Sequence, residues 1–230
     1  MDERKNEINN NSRKRHAPPD RVTYQMMLWL FMIGSLLGFL FEGIWHIMLV
    51  GFWESHPGTV FGPFCIIYGF GAVALYLVSF YLRDTHPVIR FLVFAIIGSV
   101  VEYVASWFQE LAFGTVSWDY SGQLLNIQGR VSLRMAIIWG LLGSLFFKLF
   151  FPAFSYLICK TAGRGWSIAT AIVTVLMAVN VAITACALMR WRSRHFDIPA
   201  SNGVEEFIDE YFDDEFMKEK FPNMVFTVAQ

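Results

Sequence analysis

The chain has 230 residues, of which 55% are hydrophobic, 17% aromatic and only 16% charged, with a formal net charge of -1. A composition so apolar, with a mean hydropathy of +0.44, excludes an ordinary soluble domain and points to a membrane protein whose first partner is the lipid bilayer. The near-neutral charge, with basic residues dispersed, gives no support to a nucleic-acid partner.

Residues 1–23 form a polar, basic segment containing "RKRHAPP". With no apolar stretch there, nothing resembles a cleavable signal. Five runs then meet the demand of a bilayer core for about 20 apolar residues: 24–50, 64–82, 88–108, 133–159 and 166–189. Lipid offers open backbone groups no partner, so each run is read as a helix. The expected fold is an all-α polytopic membrane helix bundle over 24–189, with about five transmembrane helices, followed by a tail over 190–230. Lys148 and Pro152 interrupt the fourth run and predict a kink or an early end there. Cys65, Cys159 and Cys186 are far apart in apolar runs and read as small buried hydrophobes, not as a disulfide or metal set.

Arg4, Lys5, Arg13, Lys14, Arg15 and Arg21 precede the first run, whereas 51–63 has no basic residue. That asymmetry predicts a cytoplasmic N-terminus in a multi-pass cell-membrane protein. Arg83, Arg90, Lys160 and Arg164 fall on the same side. Arg190, Arg192 and Arg194 fall on the other, against the rule. Beyond them, Asn202 and Glu205 form a capping-box-like start and Pro222 a stop. Val204, Phe207, Ile208, Tyr211, Phe212 and Phe216 recur at helical spacing among acidic residues, which predicts one amphipathic helix over 203–217 packed on the protein's own surface.

Ionisable residues inside spans are costly, and each is a functional candidate. Gly34, Gly38, Glu42 and His46 lie along one face of the first helix, the glycines permitting a close neighbour. Ser99, Glu102, Ser106 and Glu110 form a polar stripe on the third. The two stripes are expected to meet on the side away from the N-terminus, near two unusual loops. "HPGTVFGPFCIIYGFG" mixes Gly and Pro with aromatics and is expected to fold back into the membrane at its beginning. "SWDYSGQLLNIQGR" is polar and closed by Arg130, with Arg134 one turn on; both arginines read as counter-charges for the carboxylates. In this loop Asp119 and Asn126 suit turn formation as well as ligand contact, and Trp107, Trp118 and Tyr120 suit interface anchoring. A metal on His46 and two carboxylates is a weak reading, and neither metal nor cofactor is expected.

"GFLFEGIW", "GPFCIIYGFG", "VEYVASWFQELAFGTVSWDYSGQLLNIQGRVSL" and "WGLLG" resemble, in order and spacing, a bacterial membrane family, the putative ABC-transporter permeases of type IV (CmpB-like), over about Gly38 to Gly143. The resemblance carries over Glu42, Gly62, Pro63, Tyr68, Gly69, Gly71, Glu102, Trp107, Glu110, Trp118, Asp119, Tyr120, Asn126, Gly129, Arg130 and Trp139. The chain departs from the family pattern at His56, Pro57 and Gly58, at Ile66 and at Ser117. The resemblance implies a permease subunit moving a small solute. "TAGRGWS" lacks the Gly-Lys-Ser/Thr ending of a phosphate loop, so any ATP-hydrolysing subunit must be separate. Five spans also imply a homo-oligomer or complex if the chain transports. A non-catalytic scaffold or sensor using the tail is the alternative, and a membrane enzyme using paired carboxylates is the least supported. No catalytic motif is present.

Overall fold

The computed structural model describes residues 21–54, 57–159 and 163–227. Arg4, Lys5, Arg13, Lys14, Arg15, His56 and Lys160, and the Cys159 side chain, lie outside the described part. Helices α1 (Tyr24–Val50), α2 (Ile66–Tyr81) and α3 (Pro87–Phe113) are followed by α4 (Leu133–Leu145). A π-helical stretch, Phe146–Phe150, leads from α4 into α5 (Phe151–Cys159), and α6 (Arg164–His195) completes the bundle. The tail adds α7 (Gly203–Tyr211) and α8 (Asp214–Lys220). Strands β1 (Thr115–Val116) and β2 (Val225–Phe226) pair antiparallel.

The protein is an all-α membrane helix bundle, with one change to the expected five spans. Four helices are long and apolar enough to cross a membrane: Tyr24–Val50, Pro87–Phe113, Leu133–Leu157 and Arg164–His195. Helix α2 has only 16 residues. At about 24 Å it falls short of the roughly 30 Å hydrocarbon core. Pro57, Gly58, Gly62 and Pro63 keep the chain ahead of it non-helical. From Val60 onward that segment packs against the helices of the bundle. Val60 N–H donates to Thr184 Oγ1 at 3.0 Å, Asn180 Nδ2 donates to Phe61 O at 2.8 Å, and Cys65 N–H donates to Ser35 O at 3.0 Å. Asn180 lies near the middle of α6, so the re-entrant loop reaches that depth and α2 starts inside the bundle.

The fourth run is continuous instead of ending early. The wider π-helical turn immediately before Pro152 accommodates a ring that would strike the carbonyl four residues back. Phe146, Phe150 and Phe154 stack along one side of this stretch, and the Arg90 guanidinium sits 3.5 Å over the Phe147 ring.

Helices meet through small residues, as expected where lipid supplies no hydrophobic drive between them. A Cβ on Gly38 would strike the Tyr68 ring of α2, and one on Gly98 would strike the Trp139 indole of α4. One apolar core, around Leu30, Tyr76 and Phe94, lies toward the end where α1 begins. A second, at the opposite end, joins Val60 of the re-entrant loop to Leu188 and Trp191 of α6 and to Phe212, Met217 and Phe221 of the tail. The tail thus docks at the end bearing the re-entrant and polar loops. Cys65 is buried, but Cys186 is exposed on α6 instead of buried.

The tail is not one helix. It breaks between α7 and α8 because Phe212 turns inward to the second core and Asp213 accepts from Phe216 N–H at 2.8 Å, capping a new helix. Ile208 and Phe212 face the core, whereas Val204, Phe207 and Tyr211 face outward. The capping box is present in modified form. Asn202 Oδ1 accepts from Val204 and Glu205 N–H, and Glu205 reaches back to Ser201 N–H at 2.7 Å.

Candidate functional site

Two carboxylates lie within the bundle with uncharged partners. Glu42 of α1 faces the start of α2. Cys65 Sγ stands 3.9 Å from its Oε2, and the Tyr68 hydroxyl donates to it. Tyr68 is placed there because Gly38, one turn earlier on α1, has no side chain to hold its ring away.

Glu102 of α3 is only 4% exposed. Tyr120 of the polar loop donates to its Oε1 at 2.9 Å, and the Trp139 indole N–H of α4 donates to its Oε2 at 3.2 Å. Trp139 reaches it by lying flat over Gly98 and against Gly71. Burial first, then the Glu102 charge, pushes the Tyr120 hydroxyl up, which keeps it a proton donor.

Of the two expected counter-charges, Arg130 finds one of the carboxylates, Glu110, and among the described residues neither arginine forms an ion pair with Glu42 or Glu102. Arg130 pairs with Glu110 and donates to Ser106 Oγ at 3.3 Å. Arg134 is exposed, near enough to Tyr120 to interact with it, and among the described residues forms no ion pair with a carboxylate. The reason is reach: Arg130 closes the loop over the outer turns of α3, one to two turns beyond Glu102. His46 also parts from Glu42. Its Nε2 lies 3.2 Å from Glu54 Oε2 and its Nδ1 3.0 Å from Phe52 O. Among the described residues no group of three His, Cys, Asp or Glu is placed to hold a metal.

The polar loop is internally stapled. Trp118 Nε1 donates to Arg130 O at 3.1 Å, and Asp119 Oδ1 accepts from Ser121 N–H at 2.8 Å. Asn126 Nδ2 donates to Ser121 O and Gln123 O, each at 3.0 Å, while its Oδ1 accepts from Gly129 N–H. Gly129 is required on two counts, a φ of +69° and the Asp119 and Ser121 side chains where a Cβ would stand. Asp119, Asn126 and Trp118 therefore shape the loop, and Tyr120 is the member that enters the carboxylate site. Trp107 is 47% exposed, in keeping with an anchor at the bilayer edge. Gly62 takes a φ of +75° in the re-entrant loop just before Pro63, and Gly69 packs on Ser35 and Phe31.

The tail arginines have partners too. Arg190 pairs with Glu205 and Asp209, and Arg194 with Asp209 and Asp214. The acidic face of the tail thus answers the basic exit of α6, which accounts for a cluster that the charge rule left in conflict.

Sequence reasoning missed Cys65, the Gln109 bonds to Thr115 and Ser117, and the α6 residues that hold the re-entrant loop. A signal for the last existed: Thr170, Thr174, Asn180 and Thr184 mark a polar stripe at helical spacing in an apolar span.

A family model described as "Putative ABC-transporter type IV" matches residues 29–185. The match takes in Glu42, Glu102 and both loops and stops short of the tail. Comparison with curated proteins and with solved structures gives no match.

Proposed function

The chain belongs to the putative ABC-transporter type IV family, and from that premise we propose that it is a permease-type subunit moving a small solute with energy from a separate ATP-hydrolysing subunit. The observation that carries the reading is the pair of membrane-level carboxylates, Glu42 and Glu102, held by hydroxyl, thiol and indole groups and, among the described residues, with no cation on either. A network built only for stability has every reason to neutralise such charges with arginine, and Arg130 stands nearby but serves Glu110. The re-entrant loop supports the reading. Non-helical backbone at membrane depth is characteristic of transporter sites lined by broken helices.

In this reading Glu42 and Glu102 contact the solute. Tyr68, Tyr120 and Trp139 orient them, and the stapled loop with Asp119 and Asn126 forms the wall. The basic N-terminal segment argues for a cytoplasmic N-terminus in the cell membrane, which turns both loops and the tail outward. Assembly as a homo-oligomer or with other subunits follows from the small number of spans.

The test is purification from native membranes in mild detergent with mass spectrometry of stoichiometric partners, followed by ATP hydrolysis measurements on the complex. The proposal expects an ATP-hydrolysing subunit to co-purify with the wild type and with Glu102→Gln, and the variant to change hydrolysis severalfold. Recovery of the chain alone, or hydrolysis indifferent to both Glu42→Gln and Glu102→Gln, contradicts it. If deletion after Pro199 strips away partners while the carboxylate variants behave as wild type, the scaffold reading takes its place.

A further inference from the structure

The polar loop comes back down along the bundle after α3 ends. Helices α3 and α4 run antiparallel, with Trp139 packed over Gly98 and Gly143 against Phe94. In that register Leu133, the first residue of α4, stands beside Val104, whereas α3 runs on to Phe113, roughly 14 Å further. Leu133 N–H donates to Leu124 O at 3.3 Å, which holds Leu124 at the level of the first turn of α4. Ile127 lies beside Ile96, Val100 and Tyr103 of α3, and the Tyr103 hydroxyl donates to Gln128 Oε1 at 2.6 Å. A hydrocarbon core of about 30 Å centred on Val100, the middle of α3, reaches roughly 15 Å toward the loop and so extends beyond Leu124.

At this level the loop has an apolar corner turned outward. Leu124 is 75% exposed, Leu125 70% and Ile127 58%. Ile127 continues the exposed stripe of Ile96 and Val100 on α3, and Leu124 adjoins the exposed Leu133 of α4. Leu125 is displayed there at a φ of +50°, a left-handed conformation that Asn, Asp and Gly adopt far more readily than Leu. The polar groups of the corner are met within the loop. Tyr120 N–H donates to Gly129 O at 2.7 Å, Ile127 N–H to Val131 O at 3.0 Å and Arg130 N–H to Ile127 O at 3.0 Å. Asn126 commits both ends of its amide to Ser121, Gln123 and Gly129. Irregular backbone beside lipid requires such closure, because acyl chains offer no partner.

We infer that the corner formed by Leu124, Leu125 and Ile127 is immersed in the acyl chains of the leaflet on the loop side. The loop is then two-faced, with lipid against its leucines and Glu102 against its Tyr120. Lipid anchors from outside the same segment that carries Tyr120 to the carboxylate. This contact is independent of transport.

The test uses the full chain in vesicles of phosphatidylethanolamine and phosphatidylglycerol, part of the latter carrying a photoactivatable diazirine on one acyl chain, with labelled residues mapped by mass spectrometry. Leu124, Leu125 and Ile127 are expected to take as much label as Ile96 and Val100, and severalfold more than Val204 and Val225, which are as exposed but belong to the tail. Label no higher than on Val204 and Val225, whether water or another chain covers the corner, overturns the inference. Leu125→Asn gives an independent reading by its sign. Asn suits the left-handed backbone, so in water it leaves the Tm unchanged or raised. In lipid it places an amide among acyl chains, and the Tm in the same vesicles is expected to fall by several degrees. A Tm at or above that of the wild type contradicts immersion. Should that variant fail to fold, the labelling of the wild type decides.

Discussion

The bundle and the tail both hold carboxylates, and they treat them in opposite ways. In the tail three acids have a cation: Asp209 lies between Arg190 and Arg194, with Glu205 and Asp214 on either side. In the bundle Glu42 and Glu102 have a hydroxyl, a thiol and an indole. The tail is at the bundle's end, where water still reaches Glu205 and Asp214, and its ion pairs hold a fold together. The bundle carboxylates lie where charge is most costly, and their local compensation is weakest. In the proposed function this contrast is what marks Glu42 and Glu102 as candidates for solute contact.

The comparison breaks first at Glu102. Glu102→Gln keeps size and one acceptor and should take ATP-coupled transport by the reconstituted complex to background; transport near the wild-type rate would remove the distinction between the two regions. Arg190 carries the reverse expectation. Arg190→Ala leaves Asp209 and Glu205 short of a partner and should destabilise the docked tail by about 3 kcal/mol, read as faster proteolysis after Pro199, while ATP hydrolysis stays within twofold.

A smaller effect tests how the site is positioned. Gly98→Ala pushes a methyl group under the Trp139 indole and should cost about 2 kcal/mol by overpacking, shift Trp139 fluorescence and weaken transport in step. Acid gives a finer probe of the tail. The Arg190 hydrogen bond, aided by Arg194 and opposed by partial burial, holds Asp209 below the usual carboxylate range. A carboxyl lowered on folding stabilises the docked tail at pH above its unfolded value of about 3.9, and that contribution is lost as pH falls through the lower folded value. Protease resistance of the tail should therefore hold at pH 5 and fail only below about pH 4.

Much of this was legible in the residues. The apolar runs marked the helices, because lipid permits so few alternatives. The stripes of Glu42 and of Glu102 with Glu110 marked the polar face, and the Gly and Pro of residues 57–63 marked the re-entrant loop. Pairing was not legible. Nothing in the spacing says that Arg130 stops at Glu110 or that His46 turns to Glu54, because a side chain's partner is set by which helices pack together. Likewise the acidic tail read as a surface face until α6 was seen to end in its counter-charges. The break at Phe212 escaped because one inward aromatic and one capping aspartate outweighed a helical period that ran on through them.

The most direct measurement is thermal unfolding of Glu102→Gln and Arg190→Ala side by side with the wild type in one detergent. A functional carboxylate strained by its surroundings leaves the Tm unchanged or raised when neutralised, whereas loss of a structural cation lowers it by several degrees. A Tm for Glu102→Gln that falls as far as that of Arg190→Ala would make the two regions alike and contradict the account.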